Sequence, residues 1–140
     1  MHDVGNATVP TVIARLLLAA ALGGLSEYGW RQHRRLSAII GMAMVAAGAS
    51  GFLLLARQMG FSDSTAVSRA LETCVLVVSL IATGVIVTRG IGPQSIKTGA
   101  TIWVMGAVGL TIATEIWWVG VIVGLVTVLA RAAAARLDQV

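Results

Sequence analysis

The sequence predicts an all-α integral membrane bundle of about five transmembrane helices. Hydrophobic residues make up 57% of the 140 positions and charged residues only 11%, and the mean hydropathy is +0.89. Soluble domains carry about 25% charged residues. The charged residues lie between apolar stretches whose lengths approach the roughly 20 residues that a helix needs to cross a bilayer. With no polar stretch long enough to fold separately, residues 1–140 are predicted to form one domain.

The first three predicted helices follow three separate apolar stretches, at residues 9–28, 36–56 and 70–88. The first contains Pro10 in its opening turn, where the N–H that proline lacks would have no helical partner in any case. No Lys or Arg precedes this stretch and no small-residue cleavage site follows it. We therefore interpret it as a retained helix and not as a secretory signal.

The remaining apolar sequence predicts two more helices. Pro93, with glycines beside it, predicts a loop over residues 89–97, because proline breaks a continuing helix. The block from 98 to 130 is too long for one crossing, and Thr114 and Glu115 interrupt it. A single long tilted helix is the alternative. The favoured division gives helices at residues 98–113 and 116–134.

The distribution of Lys and Arg predicts the orientation, since the side richer in them usually stays in the cytoplasm. Five spans place most of these residues on one side, with the N-terminus outside and the C-terminus inside. Without the split at Glu115, Arg131 and Arg136 would fall on the poorer side, so the same distribution supports five spans. The richer side holds Arg31, Arg34, Arg35, Arg89, Lys97, Arg131 and Arg136, and the other holds Arg57 and Arg69.

Small residues recur at spacings that let helix backbones approach in lipid. Because Ala and Gly are abundant, single pairs can match by chance, but together they indicate a close-packed bundle or a homo-oligomer. The pairs are Ala19 with Gly23, Ala20 with Gly24, Ala43 with Ala47 and Gly51, and Gly120 with Gly124.

Ionisable residues at membrane depth are costly and need a partner or water. Arg15 lies about two turns from the start of the first helix, and Glu72 lies near the start of the third, which enters from the same side. We therefore expect the two to pair. The favoured role is an ion pair that fixes helix register, and the alternative is a proton or ion relay or the lining of a cavity.

Two further carboxylates lie at predicted membrane boundaries. Glu27 precedes Arg31 by four residues, a spacing that allows a surface ion pair on a helix, although Glu27 can equally face water. Glu115 is expected to be solvated in the last hairpin.

The sequence offers no constellation for catalysis, metal binding or nucleic-acid binding. His2 and His33 lie on opposite predicted sides, so no histidine pair is available for a metal or a nucleophile. Cys74 is the single cysteine and is expected to be a buried, inert thiol. The basic residues are scattered and form no continuous face for phosphates. No enzyme activity and no cofactor are predicted.

Three segments of the second half are distinctive, namely TGVIVTRG at 83–90, IKTGATIWV at 96–104 and AVGL at 107–110, and RLLLAA at 15–20 is a weaker fourth. With these segments the chain resembles the MgtC/SapB family of bacterial inner-membrane proteins. This chain is similar to the short form, without the cytoplasmic C-terminal domain of longer members. The positions that the resemblance marks are Glu27, Arg69, Gly84, Arg89, Gly90, Lys97, Thr98, Thr101 and Trp103.

The resemblance implies a non-catalytic regulator in the bacterial inner membrane, linked to growth at low magnesium and to survival in hosts. It implies action on membrane energetics through helix contacts with other integral membrane proteins, with the ATP synthase as a candidate partner. No bound Mg²⁺ is expected, because six carboxylates spread along five helices offer no evident oxygen cage. The alternative function is a small ion or proton transporter or channel subunit that uses Arg15 and Glu72.

Overall fold

Five α-helices account for most of the residues that the computed structural model describes, which are 8–27, 36–58 and 64–137. Each helix is long and apolar enough to cross a membrane, and these ranges contain no strand. The predicted fold class is therefore confirmed. The helices are α1 (Val9–Ser26), α2 (Leu36–Gln58), α3 (Ser64–Arg89), α4 (Pro93–Ile112) and α5 (Trp117–Leu137).

The predicted loop over residues 89–97 is wrong in its extent. α3 continues to Arg89, and Gly90 then adopts a φ of +82°, a left-handed conformation that glycine tolerates at a helix end. Pro93 opens α4 at its first position instead of lying in a loop. The Ser95 hydroxyl donates to the Gly90 carbonyl at 2.6 Å and fastens the turn. Gly90 thus ends α3, and Pro93 starts α4.

The division of the last apolar block is confirmed. α4 ends at Ile112, and α5 begins at Trp117. Within the short turn between them, the N–H of Thr114 donates to the Thr111 carbonyl at 3.0 Å. The alternative of one long helix is therefore wrong.

α4 is the central helix, since it contacts each of the other four. Met105, Val108 and Ile112 on α4 are completely buried and form the core with side chains from α1, α2 and α3. α3 contacts only α2 and α4, and it shares no contact with α1 or α5. α3 consequently lies at one edge of the bundle.

Several of the predicted small-residue pairs lie in helix contacts. Gly23 lies against the Met42 backbone of α2, and Gly124 lies against Leu22 of α1. The closest approach, between Gly109 of α4 and the backbone of Ala46 in α2, was not among the predicted pairs. The close approach of α4 to α2 depends on Gly109, because a Cβ at this position would collide with the Ala46 backbone.

The five helices alternate in direction between two ends of the bundle. α1, α3 and α5 begin at the end that contains Arg15, which we call the Arg15 end. α2 and α4 begin at the opposite end, which contains Glu27 and which we call the Glu27 end. Contacts between helices set these directions: Arg15 and Arg57 both reach Ala113 at one end, and Glu27 reaches Arg131 at the other.

Candidate functional site

Charged side chains at the Arg15 end gather around the C-terminus of α4. Arg15 donates from Nη1 to the Ala113 carbonyl at 3.1 Å, and Arg57 donates from its own Nη1 to the same oxygen at 3.2 Å. A helix C-terminus carries partial negative charge and unbonded carbonyls, so it attracts cations. Arg57 also approaches Glu115 at 3.6 Å, with the Glu115 side chain 74% exposed. This Arg15 cluster ties α1 and α2 to the end of α4.

A second cluster closes the Glu27 end. Arg131 of α5 lies 2.8 Å from a carboxylate oxygen of Glu27, and it donates to the Thr101 hydroxyl at 2.7 Å. Thr101 in turn donates to the Lys97 carbonyl at 2.8 Å. The Glu27 side chain is only 16% exposed. One guanidinium of this Glu27 cluster therefore joins α1, α4 and α5, although the Arg131 side chain is itself 38% exposed.

The space between the two clusters is filled by apolar side chains. Ala19 and Leu22 of α1 pack with Met42 and Ala46 of α2 and with the buried face of α4. Within the described residues, the Ser50 hydroxyl oxygen is the one buried side-chain polar atom that lacks a hydrogen-bond partner. The centre of the bundle is thus a close-packed hydrophobic core with charged groups at its two ends.

The structure does not bring Arg15 and Glu72 together, so the prediction that they pair is wrong. Arg15 instead bonds the Ala113 carbonyl. Glu72 is exposed on α3 and forms no ion pair within the described part of the chain. The two residues lie toward the same end of the bundle, as expected, but their helices α1 and α3 do not contact each other. Equal depth is necessary for pairing and is not sufficient.

Glu27 has a different partner from the one considered in the sequence. Arg31 lies outside the described residues, as do Arg34, Arg35 and both histidines, so the predicted surface pair with Arg31 stays a prediction. The partner that the structure shows is Arg131, from the last helix. Glu115 is largely exposed, in line with its expected solvation.

The family-motif residues gather around the α3–α4 turn and the first half of α4. Gly84 and Arg89 are exposed on α3, Gly90 makes the turn, and Lys97 is exposed on α4. The Thr98 hydroxyl donates to the Gln94 carbonyl within the same helix at 2.9 Å. Of the motif residues on α4, Thr101 therefore has the most distinctive role, because it joins the Glu27 cluster.

Trp103 makes a contact between helices that the sequence did not indicate. Its indole N–H donates to the Ser79 hydroxyl of α3 at 3.1 Å, although the tryptophan is about half exposed. Arg69 is also exposed on α3 and forms no ion pair within the described ranges.

Sequence reasoning missed two of the residues that organise the clusters. Arg57 and Arg131 were counted only as positive charges that set orientation. A signal for Arg131 was present, since it follows a long apolar stretch in a helix that ends near the same membrane boundary as Glu27. What the sequence could not show is that α5 lies beside the end of α1.

No group of three or more metal-ligating side chains occurs in the described residues. An apolar cavity of about 450 Å³ opens between α2 and α3, lined by residues that include Met44, Gly48, Phe52, Val77 and Ile81. Its lining is suited to hydrocarbon and presents no charged group.

A bundle of five membrane-spanning helices, with a hydrophobic core and charged clusters at both ends, defines a multi-pass membrane protein. Comparison with known protein families is more specific. The sequence model of the MgtC family matches residues 16–140, and the chain belongs to the MgtC family. This family is linked to adaptation to Mg²⁺ supply and generally consists of membrane proteins without enzymatic activity. A search of curated proteins and a search of solved structures each found no match.

Proposed function

We propose that this protein is a non-catalytic regulator of the bacterial inner membrane that acts through helix contacts with other integral membrane proteins. The observation that carries the proposal is the closed apolar core between the Arg15 cluster and the Glu27 cluster. Ion transport needs charged or polar groups along a path. Here the side chains of the central core cluster are aliphatic or Met, and they are packed against one another. The buried Ser50 hydroxyl is a single polar group, which is too little to line a path.

Membership of the MgtC family supports the link to magnesium supply. Family resemblance also makes the ATP synthase a candidate partner, and growth at low magnesium the condition under which contact is expected. The outward face of α5 is available for such contacts, because this helix is largely unburied. In lipid no hydrophobic driving force brings such faces together, so their association depends on packing and polar contacts between helices.

The alternative is a transporter that uses Arg15 and Glu72, and it was motivated by the expectation that these two residues pair. Arg15 is engaged with the end of α4, and Glu72 lies on a helix that does not touch α1. A relay between the two would have to pass α2 or α4, each of which contacts both α1 and α3.

Site-specific photo-cross-linking in living cells tests the regulator. A photoreactive amino acid replaces Leu125 on the outward face of α5, and Val108, which is completely buried, serves as the matched control position. We expect adducts with specific membrane proteins from position 125 in cells at low magnesium, and none from position 108. Adducts can be probed for ATP synthase membrane subunits. If position 125 yields only lipid adducts at low and high magnesium, the proposal is wrong.

A flux measurement in proteoliposomes distinguishes the regulator from the transporter. The purified protein should leave H⁺ and Mg²⁺ permeability equal to that of empty liposomes. Flux above that level that is abolished by Glu72→Gln would favour the transporter.

A further inference from the structure

The outward face of α3 carries a stripe of six exposed residues at helical spacing. Leu76, Leu80 and Val87 are 69%, 73% and 71% exposed, which is high even among the exposed aliphatic residues of this bundle. The intervals of three and four residues place all six on one side of the helix. We call this surface the α3 stripe. It consists of Arg69, Glu72, Leu76, Leu80, Thr83 and Val87.

The stripe begins with two opposite charges. Arg69 and Glu72 are exposed, and neither forms an ion pair within the described residues. Seventeen residues separate Glu72 from Arg89 at the other end of α3, a helix length of about 25 Å. The hydrocarbon core is about 30 Å thick. With Arg89 at one boundary, the Glu72 carboxylate lies inside the hydrocarbon near the other boundary, where a charged group needs a partner.

The described part of the chain supplies no such partner. α3 contacts only α2 and α4, and the stripe faces away from both. Arg69 and Glu72 are three residues apart on one helix, a spacing that permits a weak pair, but the structure does not form it. Since residues 8–27, 36–58 and 64–137 leave the stripe uncovered, we look for its partner in another molecule.

The order of the charges fits a second copy of the same chain. Two α3 helices related by a two-fold axis along the membrane normal run parallel and at equal depth. Arg69 of each copy then lies about 4.5 Å in height from Glu72 of the other, a distance that the arginine side chain readily spans. A two-fold contact repeats each interaction, so both charges of both copies are paired. We propose that the α3 stripe is a homodimer interface held at its Arg15 end by two reciprocal Arg69–Glu72 ion pairs.

The rest of the stripe is suited to such a contact. Leu76, Leu80 and Val87 would pack along the seam, and Thr83 is small enough to let the helices approach. The Thr73 and Thr88 hydroxyls beside the seam are already bonded to carbonyls of α3, so burial would leave neither one unsatisfied. The stripe thus combines a paired polar end with an aliphatic seam, as in parallel helix pairs.

Charge reversal tests the proposed pairs. The variants are Arg69→Glu and Glu72→Arg, and dimerisation is measured by single-molecule photobleaching of dye-labelled protein diluted into liposomes. In a dimer of either single variant, positions 69 and 72 of opposite copies carry like charges. We therefore expect the dimer fraction at a given density to fall at least tenfold. When the two variants are mixed, every contact becomes an opposite-charge pair, and we expect the dimer to return. A mixture that stays monomeric would overturn the proposal, as would Glu72→Arg alone dimerising like the wild type.

A loss of folding is distinguished by two further measurements. The double variant Arg69→Glu/Glu72→Arg is again self-complementary and should dimerise by itself, which a misfolded chain would not do. Disulfide formation at Leu76→Cys in a Cys74→Ala background should join two copies, whereas Leu125→Cys on α5 serves as the control and should not. Cross-linking from position 125 alone, or no cross-linking from position 76, would contradict the interface. The proposal does not depend on the regulatory function, because all these measurements use the purified protein.

Discussion

Arg131 is the residue on which the Glu27 end depends most. Its guanidinium contacts Glu27 of α1 and Thr101 of α4 from its own position on α5. Arginine suits this position because its planar group presents several donors in fixed directions. Since Glu27 is 16% exposed, removal of Arg131 would leave a poorly hydrated carboxylate without a partner. Arg131 is therefore expected to fasten three helices.

We expect Arg131→Met to destabilise the protein by about 2–3 kcal/mol, the range for loss of a hydrogen-bonded charged partner that leaves a part-buried group unsatisfied. Glu27→Gln keeps an acceptor for Arg131 and should cost less, about 1 kcal/mol. Thermal unfolding in mild detergent measures both changes, and the double variant gives their coupling. The control is Glu115→Gln, which removes an exposed ion pair and should leave stability almost unchanged. An Arg131→Met protein as stable as the wild type would show that the pair contributes nothing.

The sequence marked Arg15, Glu27 and Glu72 as residues that need explanation, and two of them do lie in charged clusters. Their partners could not be predicted. Depth in the membrane can be estimated by counting residues from a boundary, but the neighbour of a helix depends on which helices pack together. Glu27 thus pairs with a residue from the far end of the chain, and Glu72 faces away from the bundle.

At the scale of the element, α4 owes its central position to its small residues. Gly99, Gly106 and Gly109 face α3 or α2 so closely that a Cβ would meet atoms of Ile86, Val78 or Ala46. At Gly109 the obstacle is backbone, which cannot turn aside as a side chain can. This contact fixes the distance between α2 and α4.

We expect Gly109→Ala to separate α2 from α4 and to lower the free energy of unfolding by about 1–3 kcal/mol, the usual effect of overpacking. The measurement is the midpoint of thermal or denaturant unfolding in detergent. Gly48→Ala is the matched control, because it lies on α2 with open space around it and should cause no loss. Equal stability of the two variants would mean that the helices adjust without strain.

Helix ends and helix faces differed in how well the sequence predicted them. Hydropathy locates the part of a helix that lies in lipid, and it does not register the polar first turns, so α3 begins at Ser64 and not near residue 70. Helix faces were harder. In lipid both the buried and the exposed faces are apolar, so the amphipathic periodicity that orients helices in soluble proteins is weak here.

At the scale of the whole molecule, the number of spans and the family were predictable, and both rest on strong signals. Five apolar stretches separated by charges gave five helices, and the TGVIVTRG and IKTGATIWV segments indicated the family that the chain belongs to. The arrangement of the helices around α4 follows from shape complementarity between surfaces, which no single stretch of sequence records.

The α3–α4 turn and the α4–α5 turn must face opposite sides of the membrane, and the excess of Lys and Arg predicts that the former is cytoplasmic. In a Cys74→Ala background, cysteines replace Ile91 in the first turn and Glu115 in the second, both of which are exposed. A membrane-impermeant maleimide should label position 115 in intact cells, and position 91 only after the membrane is opened. Reversed labelling would invert the orientation. Labelling of both positions from one side would contradict the passage of α4 through the membrane, and with it the five-span fold.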